Sequence, residues 1–187
     1  MISTLLAELI ATLEESRRLI PAIEAAGHEI RTALRAKRRI YTAGNGGSAA
    51  DAMHLAEELI GRFDRERPSL PAIPLCSDSA TLTCIANDYG FEKIFSRQIE
   101  GLGQSGDILV IFSTSGKSLN IITALQVARD RGLRTIAVLG KDGGPSKLIA
   151  DHAIVVPSQS TARIQEVHTF ILHAWLSLIE GDLELVQ

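Results

Sequence analysis

The chain has 187 residues, 45% hydrophobic and 22% charged, with a formal net charge of -3, enough apolar content to bury a core and to exclude a disordered chain. A mildly acidic balance without basic runs excludes a general nucleic-acid binder, and no apolar run reaches the roughly 18 residues of a membrane span. Aromatics supply only 4% and mean hydropathy is +0.15, so Ala, Ile, Leu and Val carry the apolar content, as in a sheet buried on both faces with further apolar surface between subunits.

From the N-terminus, residues 2 to about 24 place Leu5, Leu6, Leu9, Ile10, Leu13 and Ile20 at a helical period. Acidic residues at that spacing and the missing positive n-region predict a helix rather than a signal peptide, and Leu19–Pro21 marks its end or a kink. A second helix is expected over Glu29–Ala36. Two such amphipathic helices suit a subunit interface.

The chain then alternates. Arg39–Ala43 reads as a strand, followed by the Gly-rich loop and helix GNGGSAADAMHLAEELIGRF. Ala72–Cys76 is the second strand, with helices near Thr81–Asn87 and Glu92–Leu102. Ile108–Phe112 is an uninterrupted apolar strand leading into STSGKS and a helix to Arg131, with Gly132 as its C-terminal stop. Arg134–Leu139 is the fourth strand, then GKDGG, a short helix at Ser146–Ala150, a fifth strand at Ala153–Val156 and a closing helix from Thr161 to Glu180. Short apolar strands alternating with helices predict an α/β fold: one domain in three α-β-α layers around a doubly wound, five-stranded parallel sheet. Cys76 and Cys84 match neither zinc nor redox spacing, and a reducing, cytoplasmic setting is expected.

Ligands in such sheets sit beyond the C-terminal strand ends where strand order reverses, which singles out the loops after the first and third strands. Gly44-Asn45-Gly46-Gly47-Ser48 offers backbone N–H groups and a helix start to an anion. It fits neither the dinucleotide fingerprint nor the P-loop. Its structural alternative is a tight turn with Ser48 capping the helix and Asp51 completing a capping box. Ser113-Thr114-Ser115-Gly116-Lys117-Ser118 sets four hydroxyls in six residues before a helix, a neutral cradle for a phosphate monoester, against the alternative of a polar turn capped by Ser118. No acidic Mg²⁺ pattern follows, so a sugar phosphate fits better than a nucleoside triphosphate. His54 and Glu58 share a helix face at i, i+4. On the last helix Gln165 and His173 lie within about 80° of each other. His168 falls nearer the stripe of Ile164, Val167, Ile171, Trp175 and Leu178 and reads as a packing histidine.

GNGGSAADAMHLAEELIGRF, RPSLPAI, the run Asn87-Asp88-Tyr89-Gly90-Phe91, STSGKS, GKDGG and RIQEVH…H, in that order from about Ile40 to Glu180, closely resemble the phosphoheptose isomerase (D-sedoheptulose 7-phosphate isomerase) family of sugar isomerase (SIS) domains. The resemblance implies a flavodoxin-like SIS domain spanning 1–187, with residues 1–37 a helical oligomerisation segment, and a homotetramer with active sites at subunit interfaces. It implies substrate contacts from Asn45, Gly46, Gly47, Glu58, Asn87, Asp88, Ser113, Thr114, Ser115, Ser118 and Gln165. It implies one zinc ion per subunit on His54, Glu58, Gln165 and His173, with Glu58 and His173 as the catalytic pair. The implied reaction moves protons between C1 and C2 of a ketose phosphate through a cis-enediol, Glu58 acting as base and His173 as partner or the reverse. Its product, D-glycero-D-manno-heptose 7-phosphate, leads to nucleotide-activated heptose for lipopolysaccharide. Met53 stands where Gln is common and Lys117 where Asn is common; Lys117 either adds charge near the phosphate or points to water. The rival is a non-catalytic SIS protein that binds the replication initiator DnaA. That relative lacks catalytic residues at the Glu58 and His173 positions, and both are present here. No nucleic-acid or membrane partner is expected.

Overall fold

The structure is a computed structural model and describes residues 1–182. Five parallel strands, β1 (Ile40–Gly44), β2 (Ala72–Pro74), β3 (Ile108–Ser113), β4 (Arg134–Gly140) and β5 (His152–Val156), lie in the order β2-β1-β3-β4-β5. Helices cover both faces: α1 (Ile2–Ser16), α2 (Ile20–Arg35), α3 (Gly47–Ile60), α4 (Ser79–Tyr89), α5 (Ser96–Leu102), α6 (Leu119–Asp130), the short α7 (Ser146–Ile149) and α8 (Thr161–Glu180). This is the three-layer, doubly wound arrangement expected, with the flavodoxin-like strand order.

All six residues of β3 are buried, and successive side chains feed opposite faces as the pleat requires. Ile108, Val110 and Phe112 join α2, α3 and α8 in one core, while Leu109 and Ile111 join α4, α5 and α6 in the other. A carboxylate shared by two partners at the foot of the sheet holds α2 in place: Glu29 accepts from Arg134 Nε and meets His152 Nε2, both at 2.7 Å. The Arg134 guanidinium holds the Glu29 carboxyl below its ordinary range against the opposing effect of burial.

The N-terminal boundaries differ from expectation. α1 stops at Ser16, a one-turn 3-10 segment covers Arg17–Leu19, and α2 already starts at Ile20. Pro21 therefore opens a helix instead of closing one: in the first turn its missing N–H is not needed and its fixed φ suits the helix. Gly27 hides the continuity of α2 in the sequence, because it lowers helix propensity. Its lack of a side chain admits the buried Trp175 ring, whose Cδ1 would lie 2.7 Å from a Cβ there. Gly132 acts as expected. With φ of 79° it ends α6, donating to the Arg129 carbonyl while Leu133 N–H donates to Ala128, the paired bonds of a Schellman stop. Helix α1 leaves an apolar face outward, with Leu6 57% and Ile10 52% exposed, and Phe170 of α8, 52% exposed, shares a groove with Leu13 and Ile20. Among the described residues no helix is long and apolar enough to cross a membrane.

His168 is buried against Phe112, and its Nε2–H donates to the Leu139 carbonyl at 3.1 Å. Burial pushes its pKa from 6.5 down to about 4, so the folded chain refuses a proton that the unfolded chain accepts. The stability this contributes is whole above pH 6.5 and is lost as pH falls toward 4, on the order of 3 kcal/mol at the limit. Urea midpoints measured from pH 7.5 to 4.5 should fall for the wild type and fall less steeply for His168→Leu; equal slopes contradict this role.

Candidate functional site

Chain order reverses between β1 and β3, and the two loops singled out above leave the C-terminal ends of these strands. Asn45, Ser48, Ser113, Thr114, Ser115 and Ser118 line a small cavity of about 70 Å³ there. Asn45 and Asn120, on α6, exchange two amide hydrogen bonds of 3.0 and 2.9 Å that lock the loops together. Ser113 Oγ accepts from Gly116 N–H at 3.0 Å, and Ser115 Oγ from Lys117 N–H at 3.3 Å. Gly116 (φ 63°) lies so close to Gly143 that a Cβ would overlap the Gly143 carbonyl. The GKDGG turn therefore backs the hydroxyl loop directly, and Ser146 donates to the Gly116 carbonyl at 2.8 Å. Hydroxyls, backbone N–H groups and the starts of α3 and α6 converge on one small space, a site for an oxyanion with no arginine in it.

Two local expectations fail here. Ser48 does not cap α3: the helix begins at Gly47 on Gly46 (φ 57°), placing Ser48 inside the first turn, buried, with its residue on the cavity wall. Asp51 consequently makes no capping box. Its Oδ1 accepts from Thr169 Oγ1 at 3.1 Å, Oδ2 has no protein partner, and burial raises the carboxyl above its ordinary range. Ser118 does occupy the N-cap position of α6, but makes no side-chain cap hydrogen bond. Lys117 neither enters the cavity nor stands alone in water; its Nζ pairs with Asp142 Oδ2 at 2.9 Å.

Deeper along α3 and α8 lies a second cluster. His54 Nε2 is 3.5 Å from Glu58 Oε1, and the His54 ring meets the His173 ring edge-on at 5.0 Å. One turn gives His54, Glu57 and Glu58 ligand atoms all within 4.8 Å of one another. Gln165 lies two turns before His173 on α8, with its amide against Gly47; a Cβ on Gly47 would overlap it. Gly47 thus brings loop backbone to α8, while Gly46 faces open space. Asn87 and Asp88 sit on the exposed last turn of α4 and bond to each other at 2.8 Å, with Cys84 against Asp88. The structure joins the first and third loops and the α3–α8 cluster; this pair stands on a separate element.

Several residues here escaped the sequence reading. Asn120 and Glu57 carry no local signal beyond polarity. Phe63 stacks on His173 at 5.3 Å with 27° between the rings. Beside it, Glu180 at the end of α8 accepts from the N–H groups of Phe63, Asp64 and Arg65 and from Arg67 Nε at 3.0 Å. Burial alone would raise the Glu180 carboxyl, but these donors outweigh it and hold it below the ordinary range.

The SIS domain family matches residues 5–140. A phosphoheptose isomerase of Nitratiruptor is 57% identical over 148 residues, 79% of each chain. The chain belongs to the phosphoheptose isomerase family of SIS domains. The solved phosphoheptose isomerase of Neisseria gonorrhoeae superposes with a TM-score of 0.92 at 38% identity, covering 97% of each chain. That of Francisella tularensis superposes at 0.94 with 36% identity and the same coverage. Membership fixes the fold and makes this chain an isomerase, while the hydroxyl cavity gives an immediate test. Thr114→Val keeps the shape and removes one hydroxyl, so titration calorimetry with inorganic phosphate should show Kd rising roughly 2- to 10-fold, the value of about 0.5–1.5 kcal/mol for one hydrogen bond. Unchanged affinity contradicts an oxyanion site in this loop.

Proposed function

We propose that the chain interconverts D-sedoheptulose 7-phosphate and D-glycero-D-manno-heptose 7-phosphate, with the phosphate in the Ser113–Ser118 loop and Glu58 and His173 as the proton-transfer pair. One observation carries this reading: a carboxylate and an imidazole from different helices share a cluster, beside a hydroxyl-lined cavity at the β1–β3 reversal. Asn45, Gly46 and Gly47 supply polar backbone and an amide at the rim, and Ser113, Thr114, Ser115 and Ser118 supply hydroxyls for the phosphate oxygens. Gln165 directs its amide toward the sugar hydroxyls. Glu58 removes the C1 proton of the ketose while the O2 oxygen gains a proton, giving the cis-enediol. A proton then returns to C2 and the O1 hydroxyl proton leaves, so the aldehyde forms at C1 with no net gain or loss. His173 relays the oxygen protons.

The same cluster fits zinc. Imidazole and carboxylate are zinc donors, and His54, Glu57 and Glu58 already hold ligand atoms within 4.8 Å. His54, Glu58, Gln165 and His173 would hold the ion, which when bound orders these ligands and polarises a substrate oxygen. Glu57 is an exposed additional donor at the same place.

The apolar outward face of α1, with Phe170 of α8, supports an interface that covers it, as in the homotetramer that the family resemblance implies. Asn87 and Asp88, exposed on α4, would then serve a site completed across a subunit interface. The composition and the family suit a cytoplasmic enzyme feeding nucleotide-activated heptose synthesis for lipopolysaccharide. Retention of both Glu58 and His173 in one cluster favours catalysis over a DnaA-binding role.

NMR of the sugar phosphate should show turnover by the wild type and a loss of about 10²- to 10⁴-fold in kcat for Glu58→Gln and for His173→Ala, both with native circular dichroism. Wild-type turnover no better than that of the two variants contradicts the proposal, and a pull-down of the replication initiator then tests the rival. Elemental analysis should find zinc in the purified protein; chelation should lower kcat by at least about tenfold and zinc should restore it. Full activity in metal-free protein would remove the metal from the mechanism.

A further inference from the structure

The eleven or so residues between α3 and β2 are the longest connection beside the site, yet their first half is held by two fully buried charges. Glu180 lies seven residues after His173, two turns along the same face of α8. Its carboxylate, 3% exposed, takes three consecutive N–H groups, from Phe63 at 2.9 Å and from Asp64 and Arg65 at 2.8 Å, together with Arg67 Nε at 3.0 Å. The Arg67 guanidinium, 0% exposed, spends its remaining donors on the end of α3. At that end it donates to the carbonyls of Leu59 (2.9 Å) and Gly61 (3.3 Å) and to that of Glu58 itself, and within its own loop to that of Pro68 (3.1 Å). A cation at a helix C-terminus satisfies carbonyls that have no partner within the helix and suits the helix dipole.

This arrangement touches the seats of both members of the proposed proton-transfer pair. Arg67 grips the backbone of Glu58. Glu180 fixes the backbone of Phe63, whose ring stacks on His173. We propose that Arg67 and Glu180 are positioning residues, a buried clasp that sets Glu58 through its backbone and His173 through the face of Phe63. The clasp rests on the catalytic reading above for its consequence in rate, but the placement of the His173 ring can be read independently of any turnover.

The test uses Phe63→Leu and Glu180→Gln in the full-length protein as purified, labelled at histidine Cε1. The chain has five histidines, so His173→Gln assigns the signal. In the wild type the His173 Hε1 resonance carries a ring-current shift from Phe63. Phe63→Leu should remove it, and Glu180→Gln should move it in the same direction. With sedoheptulose 7-phosphate, each variant should lose about tenfold in kcat with KM within about twofold, as for groups that orient a site residue without touching substrate. The double variant should be no worse than the worse single variant, because both act along one path. A purely structural clasp predicts something different: lower melting temperature, but an unmoved His173 resonance and wild-type kcat per folded protein. That result overturns the proposal. If Glu180→Gln does not fold, Arg67→Lys takes its place, since it keeps the buried charge but loses the forked contacts to Glu180 and the α3 carbonyls; it should move the His173 resonance in the same direction, and an unmoved resonance overturns the proposal. If the wild type itself is inactive on the sugar phosphate, the catalytic reading fails separately, and the His173 resonance still decides whether the clasp positions that ring.

Discussion

The site depends on how closely α8 can lie against the rest of the molecule, and side-chain absence sets that distance. Three elements present glycine to this helix. Gly27 of α2 admits the Trp175 ring, Gly47 at the start of α3 admits the Gln165 amide, and Gly140 at the end of β4 admits Ile164. A methyl group at any of them would overlap or press on α8. Trp175 also donates to the Ile23 carbonyl at 2.8 Å, so the seat is fixed by a directional bond as well as by close packing. With α8 sunk to this depth, His173 reaches His54 and Phe63, and Asp51 reaches Thr169 between Gln165 and His173. The α3–α8 cluster is a consequence of helix packing before it is an arrangement of titratable groups.

Charge is used sparingly around the oxyanion cavity. Apart from Phe112, its lining residues carry hydroxyls and an amide, and the cation on the loop, Lys117, pairs with Asp142. The mildly acidic composition is compatible with an anionic substrate for this reason. Helix starts and N–H groups provide the positive potential locally, without a basic surface that would attract nucleic acid. The buried charges near the cluster, Arg67 and Glu180, are turned inward onto each other and onto backbone.

Patterns with a short period were legible in the sequence. The alternation of apolar strands and helices gave the five parallel strands, and the position of the two unusual loops marked the reversal at β1 and β3. His168 was legible as a core residue because it falls on the apolar stripe of α8. Local signals with two physical readings were not legible. Pro21 can stop a helix or start one, and Ser48 followed by Asp51 can form a capping box or line a cavity, depending on where the helix begins by a single residue. Long-range pairs left no local trace at all. Arg67 and Glu180 are 113 residues apart, and Asn45 and Asn120 are 75 apart; each reads alone as an ordinary polar residue, and only the fold makes them partners.

On the proposed function, the hydroxyl loop after β3 and the α3–α8 cluster are two ends of one substrate site. A crystal structure of the protein soaked with sedoheptulose 7-phosphate tests it most directly. Phosphate density is expected inside the cavity bounded by Ser113–Ser118 and Asn45, with C1 and C2 of the sugar between Glu58 and His173. Phosphate bound elsewhere, or a sugar whose C1 and C2 lie away from both residues, would contradict it.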